Sequence, residues 1–128
     1  MKRFFVVFVC LTVLLGLLAF GNAESITNAT WRNGATSSKS ISNSFTKNNH
    51  DITVSVNVTS YSATSNSDSV NIYFRDSSGR VWSSTANVDS YGTYNLTYFT
   101  DFYGDTYRLV GEPRSNEDYI SFSGTFSK

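Results

Sequence analysis

The chain reads Ile52-Thr53-Val54-Ser55-Val56-Asn57-Val58-Thr59 near its middle, and no other stretch carries so clear a structural signal. Four β-branched apolar residues alternate with four small polar residues. Successive side chains of a β-strand point to opposite faces, so a period of two predicts a strand with one buried and one solvated face. Such a half-buried strand is typical of an antiparallel sheet.

The same alternation returns along the rest of the chain, and no segment shows apolar residues at helical spacing for three turns. The other apolar series are Val70, Ile72, Phe74; Tyr94, Leu96, Tyr98; Tyr107, Leu109; and Ile120, Phe122, Gly124, Phe126. Clusters of Ser, Asn, Asp and Gly separate them, as turns require. The sequence therefore predicts an all-β fold, a single antiparallel β-sandwich of seven or eight strands.

The best turn signal is Asp76-Ser77-Ser78-Gly79. Asp suits the first position of a type I turn, and Gly79 supplies the positive φ of a bulge residue. A three-residue loop places three pairs opposite one another: Asp76 and Arg80, Phe74 and Trp82, Ile72 and Ser84. A four-residue loop would instead pair Phe74 with Val81 and expose Trp82. We favour the first register because it buries the larger apolar side chain.

The N-terminus has the pattern of a secretory signal peptide. Lys2 and Arg3 precede an uncharged apolar run from Phe4 to Phe20, and Gly21-Asn22-Ala23 places small residues before a cleavage point. The alternative is an uncleaved membrane anchor, but the run of 17 residues is shorter than the roughly 20 that span a bilayer. We expect residues 1–23 to be removed and the exported protein to be residues 24–128, with no transmembrane segment.

The exported part has 105 of the 128 residues, with eight basic and ten acidic side chains. This charge balance gives no reason to expect a nucleic-acid partner. The single cysteine, Cys10, lies in the predicted signal peptide, so we expect no disulfide and no thiolate metal site. Three Asn-X-Ser/Thr acceptor sites for N-glycosylation occur, at Asn28, Asn57 and Asn95, and their use depends on the source.

The second half of the chain resembles immunoglobulin-like and fibronectin-type-III-like domains of small secreted proteins of Gram-positive bacteria. The resemblance covers about residues 50–128. It rests on Tyr94-Asn95-Leu96-Thr97-Tyr98, a loop ending in Tyr103-Gly104-Asp105, and the following Thr106-Tyr107-Arg108-Leu109-Val110. It implies an Ig-like sandwich with a corner tyrosine on the strand after the loop. For residues 24–49 two interpretations remain open. They form either two short edge strands, Ile26 to Arg32 and Ile41 to Phe45, or a flexible arm.

Residues that could carry catalysis do not form a recognisable pattern. His50 is the only histidine and stands beside Asp51, but no Gly-X-Ser-X-Gly nucleophile elbow occurs. Carboxylates gather late in the chain, at Asp101, Asp105, Glu112, Glu117 and Asp118. A two-carboxylate glycosidase needs a deep cleft, and the spacing of a calcium-binding loop is absent. We expect no enzymatic activity, no cofactor and no metal site.

Aromatic residues exceed what the predicted core needs. After removal of the signal peptide the chain keeps two Trp, eight Tyr and six Phe. The predicted core takes seven: Phe74, Trp82, Tyr94, Tyr98, Tyr107, Phe122 and Phe126. Apart from Phe45, which ends one of the two possible edge strands, those left over are Trp31, Tyr61, Tyr73, Tyr91, Phe99, Phe102, Tyr103 and Tyr119. Exposed rings stack on sugars or anchor protein partners, whereas the simpler interpretation is a hydrophobic plug at one end of the sandwich.

These observations predict a secreted, non-catalytic module that binds a cell-surface or cell-wall polysaccharide, or a protein. The predicted ligand-binding residues are Trp31, Phe102, Tyr103 and Tyr119. Two alternatives remain open: a small bacteriocin-like toxin, and a structural subunit of an extracellular fibre. The fibre would assemble by adding the 24–49 segment to the sheet edge of a neighbouring copy.

Overall fold

The computed structural model describes residues 23–114 and 119–128, and this part of the chain is all β. Its strands are β1 (Ala23–Ile26), β2 (Thr30–Arg32), β3 (Lys39–Ser40), β4 (Phe45–Thr46), β5 (Thr53–Ala63), β6 (Val70–Asp76), β7 (Ala86–Val88), β8 (Gly92–Thr97), β9 (Thr106–Pro113) and β10 (Tyr119–Ser127). The predicted signal peptide lies outside the described residues except for Ala23, the first residue of β1. Within residues 23–114 and 119–128, no helix is long and apolar enough to cross a membrane.

The strands form two sheets, and every pairing between them is antiparallel. The first sheet has the order β1-β10-β5-β8, with β2 also paired to β10. The second sheet has the order β3-β9-β6-β7, with β4 also paired to β9. The predicted all-β, antiparallel, two-sheet fold is thereby confirmed.

Strand β5 lies inside the first sheet and behaves as its alternation predicts. Val54, Val56 and Val58 are buried, while the polar residues between them face solvent. The exception is Ile52, which we expected on the buried face and which is 47% exposed. It precedes the strand, and its carbonyl accepts the N–H of Tyr98 at 2.6 Å. Its side chain lies beyond the end of the sheet, where the core no longer covers it.

The core fills the space between the sheets with aliphatic side chains and a run of aromatic contacts. Phe74 of the second sheet packs edge-on against Phe126 of the first, with ring centroids 5.6 Å apart. It also stacks on Tyr98 at 4.8 Å, and Phe45 contacts both Phe74 and Phe126. Edge-to-face and offset pairs of this kind add specificity to the apolar burial that stabilises the sandwich.

Trp31 belongs to this core, so the expectation that its ring is left over at the surface is wrong. The side chain is 3% exposed. Pairing of β2 with β10 places Trp31 opposite Ile120, and the indole stacks on Phe122 with centroids 6.1 Å apart. Its N–H donates to the carbonyl of Ser37 at 3.2 Å. The polar atom is satisfied, so the whole ring can be buried with the gain expected for a large aromatic side chain.

Residues 24–49 form edge strands rather than a flexible arm, but as four short strands whose bounds differ from the two predicted, Ile26 to Arg32 and Ile41 to Phe45. β1 and β2 pair with β10 at the border of the first sheet, and β3 and β4 pair with β9 at the border of the second. The acceptor residue Asn28 is exposed and lies in the link between β1 and β2. Asn57 and Asn95 lie on the solvated face of the first sheet.

The hairpin after β6 has the predicted three-residue loop. The Asp76 N–H donates to the carbonyl of Arg80 at 2.9 Å, and the Trp82 N–H donates to that of Phe74 at 3.0 Å. The register holds only to that point, since Ile72 pairs with Ala86 rather than Ser84. The N–H of Ser84 instead donates to Thr97 in the first sheet at 2.8 Å. The chain thus touches the other sheet before it returns as β7.

Candidate functional site

Three connections meet at one end of the sandwich. They are residues 47–52 before β5, the hairpin loop 76–82, and loop 98–105 between β8 and β9. The strand registers bring them together, because Thr53 pairs with Thr97 and Asp76 pairs with Tyr107. We call this region the aromatic end.

Loop 98–105 presents three aromatic rings to solvent at this end. Phe99 is 62% exposed, Phe102 38% and Tyr103 57%. The N–H of Phe99 donates to the carbonyl of Trp82 at 2.9 Å, so the base of the loop is fixed to the end of the hairpin. Large exposed apolar side chains gathered in one place are typical of binding surfaces.

A buried lysine anchors the loop from below. The Lys47 ammonium lies 2.8 Å from Asp101 Oδ1 and donates to the carbonyl of Asn49 at 2.5 Å, and the side chain is 1% exposed. It also lies 5.4 Å from the centroid of the Tyr98 ring. A buried cation is tolerated where a carboxylate and further acceptors surround it, and this arrangement satisfies that condition.

The same carboxylate holds the only histidine. His50 Nδ1 lies 2.5 Å from Asp101 Oδ2, and the imidazole stacks on Tyr103 with centroids 4.5 Å apart and planes at 19°. Asp101 thus fixes Lys47 with one oxygen and His50 with the other. One face of the Tyr103 ring is supported by the histidine.

Phe102 is supported from the hairpin side. Its ring meets Trp82 edge-on, with centroids 4.8 Å apart. The indole N–H of Trp82 donates to Asp76 Oδ2 at 2.6 Å, and Asp76 Oδ1 accepts the N–H groups of Ser78 and Arg80. Asp76 therefore stabilises its own turn and orients the tryptophan that contacts the exposed ring.

Backbone bonds complete the support of the loop. The Lys47 N–H donates to the carbonyl of Asp105, and the Gly104 N–H donates to that of Lys47, both at 2.9 Å. The N–H of Asp105 closes a turn onto Phe102 at 3.1 Å. Gly104 has φ 86° in that turn, a conformation that a residue with a Cβ adopts only at a cost.

Two carboxylates of the aromatic end, Asp76 and Asp101, have pKa values below their ordinary range. The indole of Trp82, together with Ser78, lowers the pKa of Asp76 to about 2. Hydrogen bonds from Lys47 and His50 lower the pKa of Asp101 below its ordinary value. Hydrogen bonds to the charged form account for both shifts.

A polar groove of about 370 Å³ adjoins the loop and is lined by Asp76, Ser77, Gly104, Asp105 and Thr106.

The four predicted site residues do not come together. Phe102 and Tyr103 share the aromatic end, whereas Trp31 is inside the core. Tyr119 begins β10 and pairs with Arg32, whose guanidinium carbon lies 5.2 Å from the centroid of its ring. Since β10 runs antiparallel to β5 from Ile120 opposite Ala63, Tyr119 lies at the opposite end of the sandwich.

The predicted site did not include three residues of the aromatic end, Phe99, Trp82 and His50. The signal for Phe99 was present in the dense run Tyr98-Phe99-Thr100-Asp101-Phe102-Tyr103. His50 and Trp82 reach the loop only through tertiary contacts. In residues 23–114 and 119–128, no group of three or more His, Cys, Asp or Glu side chains is placed to hold a metal ion.

Comparison with known proteins found no match to this chain. No protein-family model matches the chain, and neither does a curated protein or a solved structure.

Proposed function

We propose that the protein is a secreted, non-catalytic module that binds an extracellular polysaccharide of a cell surface or cell wall through its aromatic end. The observation that carries the proposal is the set of three exposed rings on loop 98–105, Phe99, Phe102 and Tyr103. Secretion follows from the predicted signal peptide of residues 1–23.

Contacts within the protein fix these rings before any ligand binds. This preorganisation supports a role of the exposed rings in binding. Tyr103 rests on His50 and Phe102 on Trp82. His50 is hydrogen-bonded to Asp101, and Trp82 to Asp76. Preorganised side chains lose little conformational entropy on binding, so more of the contact energy appears as affinity. Rigid aromatic side chains that combine apolar area with a polar tip are common contact residues.

Sugar is the ligand class that suits the surrounding groups. Pyranose rings present apolar C–H faces to aromatic rings and hydroxyls to polar groups. Hydroxyl and carboxylate oxygens of the adjoining groove, from Ser77, Asp105 and Thr106, supply hydrogen-bond partners. Four aspartates against one lysine and one arginine leave residues 47–52, 76–82 and 98–105 with an excess of negative charge, which disfavours an anionic ligand at this end. An uncharged polysaccharide fits both features.

The strand order supports a jelly roll over an Ig-like sandwich. If β1 with β2 and β3 with β4 are each taken as one interrupted strand, eight strands remain, and the first lies beside the last rather than beside the second. An Ig-like sandwich has its first two strands side by side. Double-sheet jelly rolls of eight strands include lectin domains, although the fold alone does not assign a function.

The tyrosine at the predicted corner position also supports a jelly roll over an Ig-like sandwich. Tyr107 follows the loop and is buried, which raises its pKa to about 12. Its hydroxyl has no hydrogen-bond partner among the residues that the structure describes. The corner tyrosine of Ig-like domains donates to upstream backbone.

A membrane-active toxin is the second candidate, and one observation favours it. Phe99 and Ile52 are both strongly exposed. Both lie at the aromatic end, where the N–H of Tyr98, the residue before Phe99, donates to the carbonyl of Ile52. Release of dye from liposomes by the purified protein would support this candidate and contradict polysaccharide binding as the main function.

The experiment is depletion of purified residues 24–128 from solution by whole bacterial cells, purified cell wall and insoluble glucans. Saturable depletion by cell wall or one glucan is expected. Depletion by whole cells that protease treatment abolishes would identify a protein ligand instead. If none of the materials removes the protein, the proposal is wrong.

A further inference from the structure

A cleft of about 540 Å³ opens at the end of the sandwich opposite the aromatic end. Its lining is Tyr61, Ser62, Ala63, Ser65, Asn66, Asp89, Ser90 and Tyr91. The floor is the end of β5, one wall is the connection from β5 to β6, and the other wall is the turn between β7 and β8. None of the residues predicted from the sequence as ligand-binding lines this cleft.

The wall that carries Asn66 is fixed by Asp68. The Asp68 side chain is buried, and its Oδ2 accepts the N–H of Ser65 at 3.0 Å. The Asp68 N–H donates to the carbonyl of Ser65 at 3.1 Å. The carbonyl of Asp68 accepts the hydroxyl of Tyr61 at 2.6 Å, which ties the wall to the floor.

The opposite wall is fixed by Tyr94. Its hydroxyl donates to the carbonyl of Ser90 at 2.9 Å and accepts the Ser90 N–H at 3.2 Å. The turn ends at Gly92, whose φ of 145° is accessible to glycine and rarely adopted by other residues. Tyr91 is thus presented from an anchored turn, and its side chain is 76% exposed, the highest value among the large hydrophobic side chains of the described residues.

The chemistry of the lining is that of a saccharide site. Tyr91 offers an aromatic face, and three serine hydroxyls and the amide of Asn66 offer both donors and acceptors. Asp89 is the one carboxylate among the lining residues. Its Oδ1 faces the hydroxyls of Ser90 and Tyr94, each at 3.2 Å, which leaves Oδ2 to accept from a sugar hydroxyl. The volume lies within the range of small-molecule sites, about 300 to 1,000 Å³.

We propose that this cleft binds a short, uncharged stretch of polysaccharide, independently of the aromatic end. The carboxylate of Asp89 disfavours anionic sugars by like-charge repulsion. This inference goes beyond the proposed function, because it gives the molecule two saccharide sites at opposite ends. Two such sites raise the avidity for a repetitive polymer and allow one molecule to bridge two chains.

The test is a titration of ¹⁵N-labelled residues 24–128 with cellohexaose, laminarihexaose and chitohexaose, followed by amide chemical shifts. We expect at least one of these neutral hexaoses to shift the amides of Ser62, Asn66 and Gly92 in a saturable manner. We expect hexagalacturonate, which is anionic, to leave them in place. Absence of shifts at these amides with all three neutral hexaoses would overturn the proposal, as would equal binding of hexagalacturonate.

Variants separate this proposal from the proposed function. Tyr91→Ala should weaken the response by about tenfold, equivalent to about 1.4 kcal/mol, and Tyr91→Phe should retain it because the ring remains. Replacement of Phe99, Phe102 and Tyr103 by Ala should leave the response at the cleft unchanged. Loss of the cleft response in that triple variant, with its fold intact by the remaining amide shifts, would show that the two ends are not independent.

Discussion

The ammonium of Lys47 and the carboxylate of Asp101, 54 residues apart in sequence, are 2.8 Å apart beneath the exposed loop. The lysine is buried, while the aspartate reaches the surface and holds His50 with its second oxygen. This pair connects the interior of the sandwich to the rings that face solvent. The order of the aromatic end therefore depends on a charge inside the core.

Lys47→Ala is expected to lower the free energy of unfolding by about 3 kcal/mol. The substitution removes a long buried side chain and the partner of Asp101, and both losses are destabilising. Urea unfolding followed by far-ultraviolet circular dichroism measures the change. Arg114→Ala, at an exposed position, is the matched control and should change stability by less than about 0.5 kcal/mol. Equal stability of the two variants would contradict the anchoring role of Lys47.

Acid should destabilise the protein in part through Asp76. Its pKa in the folded protein is about 2, below the ordinary value of 3.8. A carboxyl with a lowered pKa contributes stability above its unfolded pKa, and that contribution is lost as the pH falls toward the folded value. The free energy of unfolding should therefore fall between about pH 4 and pH 2.

Asp76→Asn isolates this contribution. The variant should be less stable than the native chain at pH 7, and the difference should shrink as the pH approaches 2, because the native carboxyl then becomes neutral too. Asp101 is present in both proteins, so its own titration cancels in the difference. Unfolding curves at pH 7, 4, 3 and 2 provide the measurement, and a difference that stays constant with pH would refute the prediction.

Gly124 is expected to tolerate no side chain. It follows a register shift between β10 and β5, where an added Cβ would overlap the carbonyl oxygen of Asn57. Since that neighbour is backbone, the two strands must separate, and Gly124→Ala should cost about 3 kcal/mol or more. Gly79→Ala is the control, because its Cβ meets nothing and only its positive φ adds strain, about 1 kcal/mol. Similar losses in the two variants would argue against the close approach at Gly124.

Trp31 should matter for stability and not for binding. Its ring stacks on Phe122 inside the core, so Trp31→Ala should lower the free energy of unfolding by about 3 to 5 kcal/mol. The more conservative Trp31→Phe should cost less stability, because a ring remains in the core, and should bind as the native chain does. A folded Trp31→Phe variant that has lost binding would return this residue to the site.

The two sheets were predictable because the alternation of apolar and polar residues along a strand shows directly which side chains are buried. Each apolar series in β5, β6 and β10 faces the core. The hairpin register was predictable as far as Trp82, because the three-residue loop buries Trp82 rather than Val81. The return of the chain from Ser84 to β7 was not predictable. It depends on a hydrogen bond from Ser84 to Thr97 in the other sheet, and no local pattern reports on contacts between sheets.

The site was predictable only in part, and for a physical reason. Composition shows how many aromatic residues the chain has beyond those that the core needs, but not which of them lie at the surface. Trp31 is flanked by polar residues, yet the pairing of β2 with β10 turns it inward. Phe102 and Tyr103 stay outside because they lie in a loop beyond the strand ends, and the rings that brace them come from distant parts of the chain.

The most direct test of the central claim compares binding by the native chain with binding by a variant that lacks the rings of loop 98–105. Phe99, Phe102 and Tyr103 are exposed, so their joint replacement by Ala should leave the fold intact. Thr125→Ala, at an exposed position of β10, serves as the control. The measurement is the dissociation constant for the cell wall or glucan that depletes native residues 24–128 from solution. We predict that the triple variant binds at least about tenfold more weakly while Thr125→Ala binds as the native chain does. Unchanged affinity of a folded triple variant would contradict the assignment of the aromatic end as the binding surface.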